Sequence, residues 1–215
     1  MNSSLDVGSL LVTLLALGLL PFVAMVVTSY TKIVIVLGLL RNALGAQQVP
    51  PSTVLNGIAL IVSCFVMAPV GMQAYANAQI MKQEGGNNNV VNLFDAAREP
   101  FREFLTKHTQ ARDKAFFIRS AQEIWPAAMA AKLTQEDLII LAPSFTVSEL
   151  TSAFKIGFLL YLIFIIVDLI IANILLALGL SQVTPTNVAI PFKLLLFVVL
   201  DGWSVLIHGL ISTYK

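Results

Sequence analysis

The sequence predicts an all-α membrane protein: two long helical hairpins with a small amphipathic helical insertion between them. Three observations carry this. Apolar residues make up 57% of the 215 positions and charged residues 12%, where a soluble domain has nearly half and about a quarter. The charges are segregated, since 82–137 holds eight basic and eight acidic residues and all other positions together hold nine. Four apolar stretches, 10–27, 58–76, 156–180 and 189–211, reach or approach the roughly 20 residues that cross a 30 Å hydrocarbon core. The chain therefore divides into a first hairpin region (1–81), a polar helical insertion (82–142) and a second hairpin region (143–215).

The first apolar run is preceded by Met-Asn-Ser-Ser-Leu-Asp-Val, without the basic segment of a secretory signal, and is read as retained. A polar break at 28–32 separates it from a further apolar run, 33–40. The insertion opens with Gly85-Gly86-Asn87-Asn88-Asn89, a loop signal. Two amphipathic helices are expected after it. One carries Phe94, Ala97, Phe101, Phe104, Leu105 and His108, with Pro100 as a possible break; the other carries Phe116, Phe117, Ser120, Ile124 and Ala128. Pro143 and the Thr146-to-Glu149 capping-box spacing place the start of the next helix near Val147, from which it runs to about Leu180. At 1.5 Å per residue that is roughly 50 Å, longer than a bilayer core.

Composition also excludes. A net charge of +1 leaves no electrostatic footprint for nucleic acid. One cysteine, Cys64, excludes an intramolecular disulfide framework and a multi-Cys zinc site. His108 and His208 have no ligand spacing, and no HExxH, GxSxG or phosphate-cradling glycine loop occurs. No catalytic residue, metal or cofactor is expected.

Residues 44–54 and 178–188 match at six of eleven positions. Each copy carries a helix-ending glycine, a Gln-Val-x-Pro turn and a Ser or Thr as N-cap. The copies mark two hairpin tips, at Gln48, Pro50 and Pro51 and at Pro185. Counted back from the tips, Lys32, Asp168 and Asp201 fall at a similar depth, about 16 to 18 residues away, while Lys193 lies nearer its turn. On this register Lys32, from the same chain or a neighbour, is the expected partner of Asp168. Ionisable groups in apolar spans face a bundle interior, a partner or water. Lys32, Asp168, Lys193 and Asp201 are thus read as assembly contacts, with a proton or ion pathway through Asp168 and Lys193, in a carrier or channel subunit, as the alternative. Leu180, Ser181, Gln182 and Val183 either line a constriction between several copies or form an ordinary turn.

The blocks Arg41-Asn42-Ala43-Leu44-Gly45, Gln47-Gln48-Val49-Pro50-Pro51, Phe65-Val66-Met67-Ala68-Pro69-Val70, Ser144-Phe145-Thr146-Val147-Ser148-Glu149-Leu150, Ala153-Phe154-Lys155-Ile156-Gly157-Phe158 and Pro191-Phe192-Lys193, followed by Asp201-Gly202-Trp203, resemble the FliP/SctR family. These are export-apparatus subunits of type III secretion, and the leaderless start makes the chain look more like the injectisome R-type member than the flagellar P-type. The resemblance implies a non-enzymatic subunit of a pentameric ring in the bacterial inner membrane. S-type and T-type subunits join it around a pore for unfolded substrates. Counting basic residues alone would keep the insertion cytoplasmic, but the resemblance places it in the periplasm. It also assigns a pore gate to the turn after Gly179. Family members commonly carry methionines there, whose thioethers repack around a passing chain. This sequence has Leu180, Ser181, Gln182 and Val183 instead, so the position carries over and the methionine chemistry does not.

Overall fold

A computed structural model of the chain describes residues 14–15, 18–19, 21–22, 24–46, 49–83 and 90–215, with side chains from 95 onward in the last segment. Gln48 and the Gly85–Asn89 loop lie outside the described residues. Among the described residues the chain is helical, with no strand. After a break at Val27–Ser29 come α1 (Tyr30–Leu44), α2 (Ser52–Gln83), α3 (Val90–His108), α4 (Ala111–Ile124), the short α5 (Ala127–Ala130), α6 (Leu138–Ala177), α7 (Pro185–Val199) and α8 (Gly202–Ser212).

The two hairpins are α1–α2 and α6–α7. In α1 the buried positions are Lys32, Ile33, Val36, Leu37, Leu40, Ala43 and Leu44, a stripe of helical period. That stripe is the centre of the main core, joined by Leu55, Ala59 and Val62 of α2, Ala153 and Phe164 of α6, Phe197 of α7 and Leu206 and Leu210 of α8. At Gly157 the α6 backbone lies so close to α1 that a Cβ would strike Leu39, whose own Cβ would be 3.1 Å away. A smaller core joins Phe104 and Leu105 of α3 to Leu141 and Phe145 of α6 and seats the insertion on the long hairpin.

The structure differs from the sequence reading at five points. The helix expected from Val147 to Leu180 starts at Leu138 and ends at Ala177, with Pro143 inside it. Burial of Ile140, Leu141 and Phe145 outweighs the one helical hydrogen bond that Pro143 cannot donate. The capping box does not form. Thr146 Oγ1 donates to the Ala142 carbonyl at 2.9 Å, a back-bond within the helix, and Glu149 turns inward. Pro100 likewise sits within α3 without ending it. The run 189–211 is not one continuous helix but two, α7 and α8, bent by 64°. Finally, the proposed stripe of α4 does not face the core. Phe116 and Ile124 are 57% and 77% exposed, and the buried positions are Asp113 and Ala121.

Two helices, α2 and α6, are long and apolar enough to cross a membrane, and the bent α7–α8 pair makes a third if it is one span. Only 22% and 11% of the most apolar windows of α2 and α6 are buried. The remainder is left uncovered by the chain itself.

Candidate functional site: buried ion pairs and paired hairpin turns

The two turns predicted from the repeat share a backbone geometry. Gly45 and Gly179 stand at φ 71° and 70°, a left-handed conformation that glycine adopts without a Cβ clash. Their amides donate to the carbonyls three residues back, Asn42 at 3.1 Å and Leu176 at 3.0 Å. Leu180 N–H reaches Leu175 O at 2.9 Å, which completes a Schellman closure of α6. The hydroxyls expected to cap the helices do not stand at N-cap positions: Ser52, whose Oγ accepts from Arg41 Nη1 at 2.9 Å, and Thr186 lie inside α2 and α7, and Thr184, at the N-cap of α7, makes no side-chain cap hydrogen bond. Pro50, Pro51 and Pro185 stand at the helix starts, as Pro51 O accepts from Leu55 N–H at 3.2 Å and Pro185 opens α7. The first turn abuts the second hairpin, since a Cβ on Gly45 would lie 3.3 Å from Ile190 Cγ1. Leu180, Ser181, Gln182 and Val183 are all exposed on the single chain.

The charges pair differently from the register arithmetic. Lys32 does not meet Asp168. Its Nζ lies 3.0 Å from Glu149 Oε1, with both side chains almost fully buried, and Asp168 instead accepts from Lys193 Nζ at 2.7 Å. Depth from the tips fails as a guide because a lysine side chain spans several residues of helix rise. The inward face of α6 also begins at Ile140, about two turns earlier than the capping box suggested. Lys193 donates a second hydrogen bond to Ala43 O at 3.0 Å, so one ammonium joins α7, α6 and the C-terminal end of α1, where a cation is favoured by the helix dipole. Asp168 is 41% exposed, yet its Oδ1 is buried without a hydrogen-bond partner. Asp201 is exposed, at φ 50° between α7 and α8.

Sequence reasoning missed two members of the first cluster, Glu149 and Tyr214. Tyr214, beyond α8, donates its hydroxyl to Glu149 Oε2, and its ring lies beneath Lys32 with Nζ 3.7 Å from the centroid. A buried ammonium thus has a carboxylate and an aromatic face as counter-groups, an arrangement that offsets its lost hydration. Burial, reinforced by the Glu149 carboxylate, raises the Tyr214 hydroxyl above its ordinary pKa, so it stays a donor. The ring of Tyr214 stacks on Phe104 at 6.1 Å and meets the edge of His108 at 5.2 Å. Burial first, then Lys107 and Lys32, lower His108 to about 4, so at neutral pH it is an uncharged aromatic. A third cluster docks α4 on α6, where Ser148 Oγ donates to Asp113 Oδ2 at 2.6 Å and accepts from Gln110 N–H at 3.0 Å. The signal for Glu149 was present, an acid in an apolar helix, but its capping-box spacing offered a local role that competed with the long-range one.

None of these clusters gathers three or more His, Cys, Asp or Glu in a metal-binding group among the described residues. What they do is fasten helices across a low-dielectric interior. Comparison with known proteins finds relatives over nearly the whole length of the chain. The model of the FliP family matches residues 11–210. The hypersensitivity response secretion protein HrcR of Ralstonia nicotianae is 70% identical over 215 residues, 99% of each chain. The Yop proteins translocation protein R of Yersinia pestis is 48% identical over 210 residues, 97% of each. The virulence protein YscR of Salmonella typhimurium is 38% identical over 202 residues, 94% of each. With the family's match running from the first apolar run to the end of α8, through both hairpins and the insertion between them, the chain belongs to the FliP family.

Proposed function

We propose that this chain is a core subunit of the type III secretion export apparatus, of the injectisome R type, without catalytic activity of its own. Several copies, five by the family's pattern, close into a ring in the bacterial inner membrane. S-type and T-type subunits join the ring, and unfolded substrate proteins pass through its centre. The insertion, 82–142, lies on the periplasmic side between the hairpin regions 1–81 and 143–215. The observation that carries the reading is 70% identity, over 99% of both chains, to a protein named for secretion in the hypersensitivity response.

The geometry supports it in three ways. Long apolar helices are left largely uncovered by the chain itself, as subunits of a larger assembly are. The exposed turn Leu180, Ser181, Gln182 and Val183 stands at a hairpin tip, closed behind by Gly179, where it can meet its counterparts from other copies. Here Leu180 and Val183 make the seal by apolar contact, with Gln182 supplying hydrogen bonds. Asp201, exposed beside apolar Val198, Val199 and Leu200, is satisfied by a group from outside the chain.

The unpartnered Oδ1 of Asp168 is the one observation favouring the alternative, an ion-coupled carrier or proton channel using Asp168 and Lys193. The two readings part on one experiment. The gene is deleted from its bacterium and restored as wild type or Asp168→Asn, and both secreted protein and assembled complex are measured. The secretion reading predicts that deletion abolishes export and that Asp168→Asn lowers complex and export together. Export that survives deletion contradicts it, and an Asp168→Asn complex formed in full but inactive favours the carrier.

A further inference from the structure

The last helix, α8, is fastened at its two ends and reaches the main core between them through Leu206 and Leu210. At its start the chain turns through 64°, and Asp201 takes up φ 50°, ψ 44°, a left-handed conformation unfavourable for a residue that carries a Cβ. Gly202 permits the turn, because a Cβ there would collide with the ring of Phe197, and Phe197 and Trp203 then meet edge to face at 5.3 Å. Past its other end, Tyr214 N–H is held by Ile211 O at 3.0 Å, and the side chain crosses to Glu149 and Lys32. Beside the helix, Gly209 and Leu210 line one wall of an open apolar groove of about 420 Å³ whose other walls include Ile156, Leu160 and Phe164 of α6.

We propose that α8 is a movable strap, with Asp201–Gly202 as its hinge and Tyr214 as its latch. Latched, the strap is held against α7 and α2, with Tyr214 tied to α6 and α1. With Tyr214 released, α8 swings outward about the hinge, the left-handed conformation at Asp201 relaxes and the groove widens. The hydroxyl of Tyr214 and its ring contribute separately, the first through Glu149 and the second through Lys32. The device belongs to the single chain, so it stands or falls independently of the secretion reading.

Spin-label distance measurements on the full chain in detergent test this. In a Cys64→Ser background, labels replace His208 on α8 and Lys155 on α6, both exposed. His208 is the seventh residue of α8, so straightening the 64° bend moves it by on the order of 10 Å. The wild-type latch gives one narrow distance; Tyr214→Ala gives a second population displaced by about that amount, and Tyr214→Phe a smaller one. A second pair at Asn42 and Val54, across the first hairpin and also exposed, keeps its distance if the fold is intact. If Tyr214→Ala disturbs that pair, the decision passes to Tyr214→Phe, which removes one hydroxyl and leaves the ring. Traces of the folded variants that superimpose on wild type overturn the proposal.

Discussion

Lys32 and Glu149 are each intolerable alone in the interior that they share. Removing one member of such a pair strands the other charge and costs about 3–5 kcal/mol, while replacing both is far cheaper. Lys32→Met is therefore expected to lower stability steeply, and Lys32→Met with Glu149→Gln to recover most of the loss, the amide still accepting from Tyr214. Thermal unfolding in detergent measures this, and costs that simply add would contradict the pairing. His108 gives a pH dependence of definite sign. Its folded pKa, about 4, lies below the ordinary 6.5, so its contribution is fully present above pH 6.5 and declines as pH falls toward 4, where the unfolded chain takes up a proton that the folded ring refuses. For a half-buried ring this amounts to about 1–2 kcal/mol after screening by solvent. His108→Phe keeps the contacts with Phe104 and Tyr214 and is expected to flatten that part of the stability profile; an unchanged profile would remove His108 as its source.

At the scale of elements, the turns were the most legible feature and the ion pairs the least. Gly45 and Gly179 announced themselves because a left-handed residue at a helix end has few substitutes, and the repeat doubled the signal. Gly45→Ala is expected to cost about 1–2 kcal/mol from its backbone conformation, measured as a fall in melting temperature. Exposed positions of the second turn behave differently. Leu180→Gly or Val183→Gly should leave stability nearly unchanged and raise ion leakage through the assembled complex in planar bilayers, and unaltered conductance would deny these side chains a part in the seal. The start of α6 was misread because Pro143 and the Thr146–Glu149 spacing are both local signals, whereas Phe145 and Leu141 are held by the distant Phe104 and Leu105. The break between α7 and α8 was missed for a related reason: Asp201-Gly202 sits inside an apolar run, and only packing against Phe197 reveals why the glycine is there. Which lysine meets which acid depends on helix rotation and side-chain reach, and neither is written in residue spacing.

The whole molecule exposes 14089 Å², whereas a compact monomer of 23.3 kDa is expected to show about 9,700 Å². The excess is roughly 4,000 Å², and the exposed surface includes apolar faces such as Phe158, Leu159, Leu162 and Ile163 of α6 and Val198 and Val199 of α7. Lipid can cover some of this surface. Lipid does not satisfy Asp201, nor does it explain a helix of 40 residues, about 60 Å long, whose length is twice what a bilayer core requires. In the assembly proposed above, neighbouring chains meet both needs. The apolar-polar-apolar division of the sequence already implied a membrane protein with an insertion.

The most direct measurement is the native mass of the detergent-extracted chain, alone and co-expressed with the S-type and T-type subunits. The account predicts a closed oligomer at several times 23.3 kDa, growing by discrete steps as those partners are added. A stable species at the mass of one chain, unchanged by the partners, would contradict it.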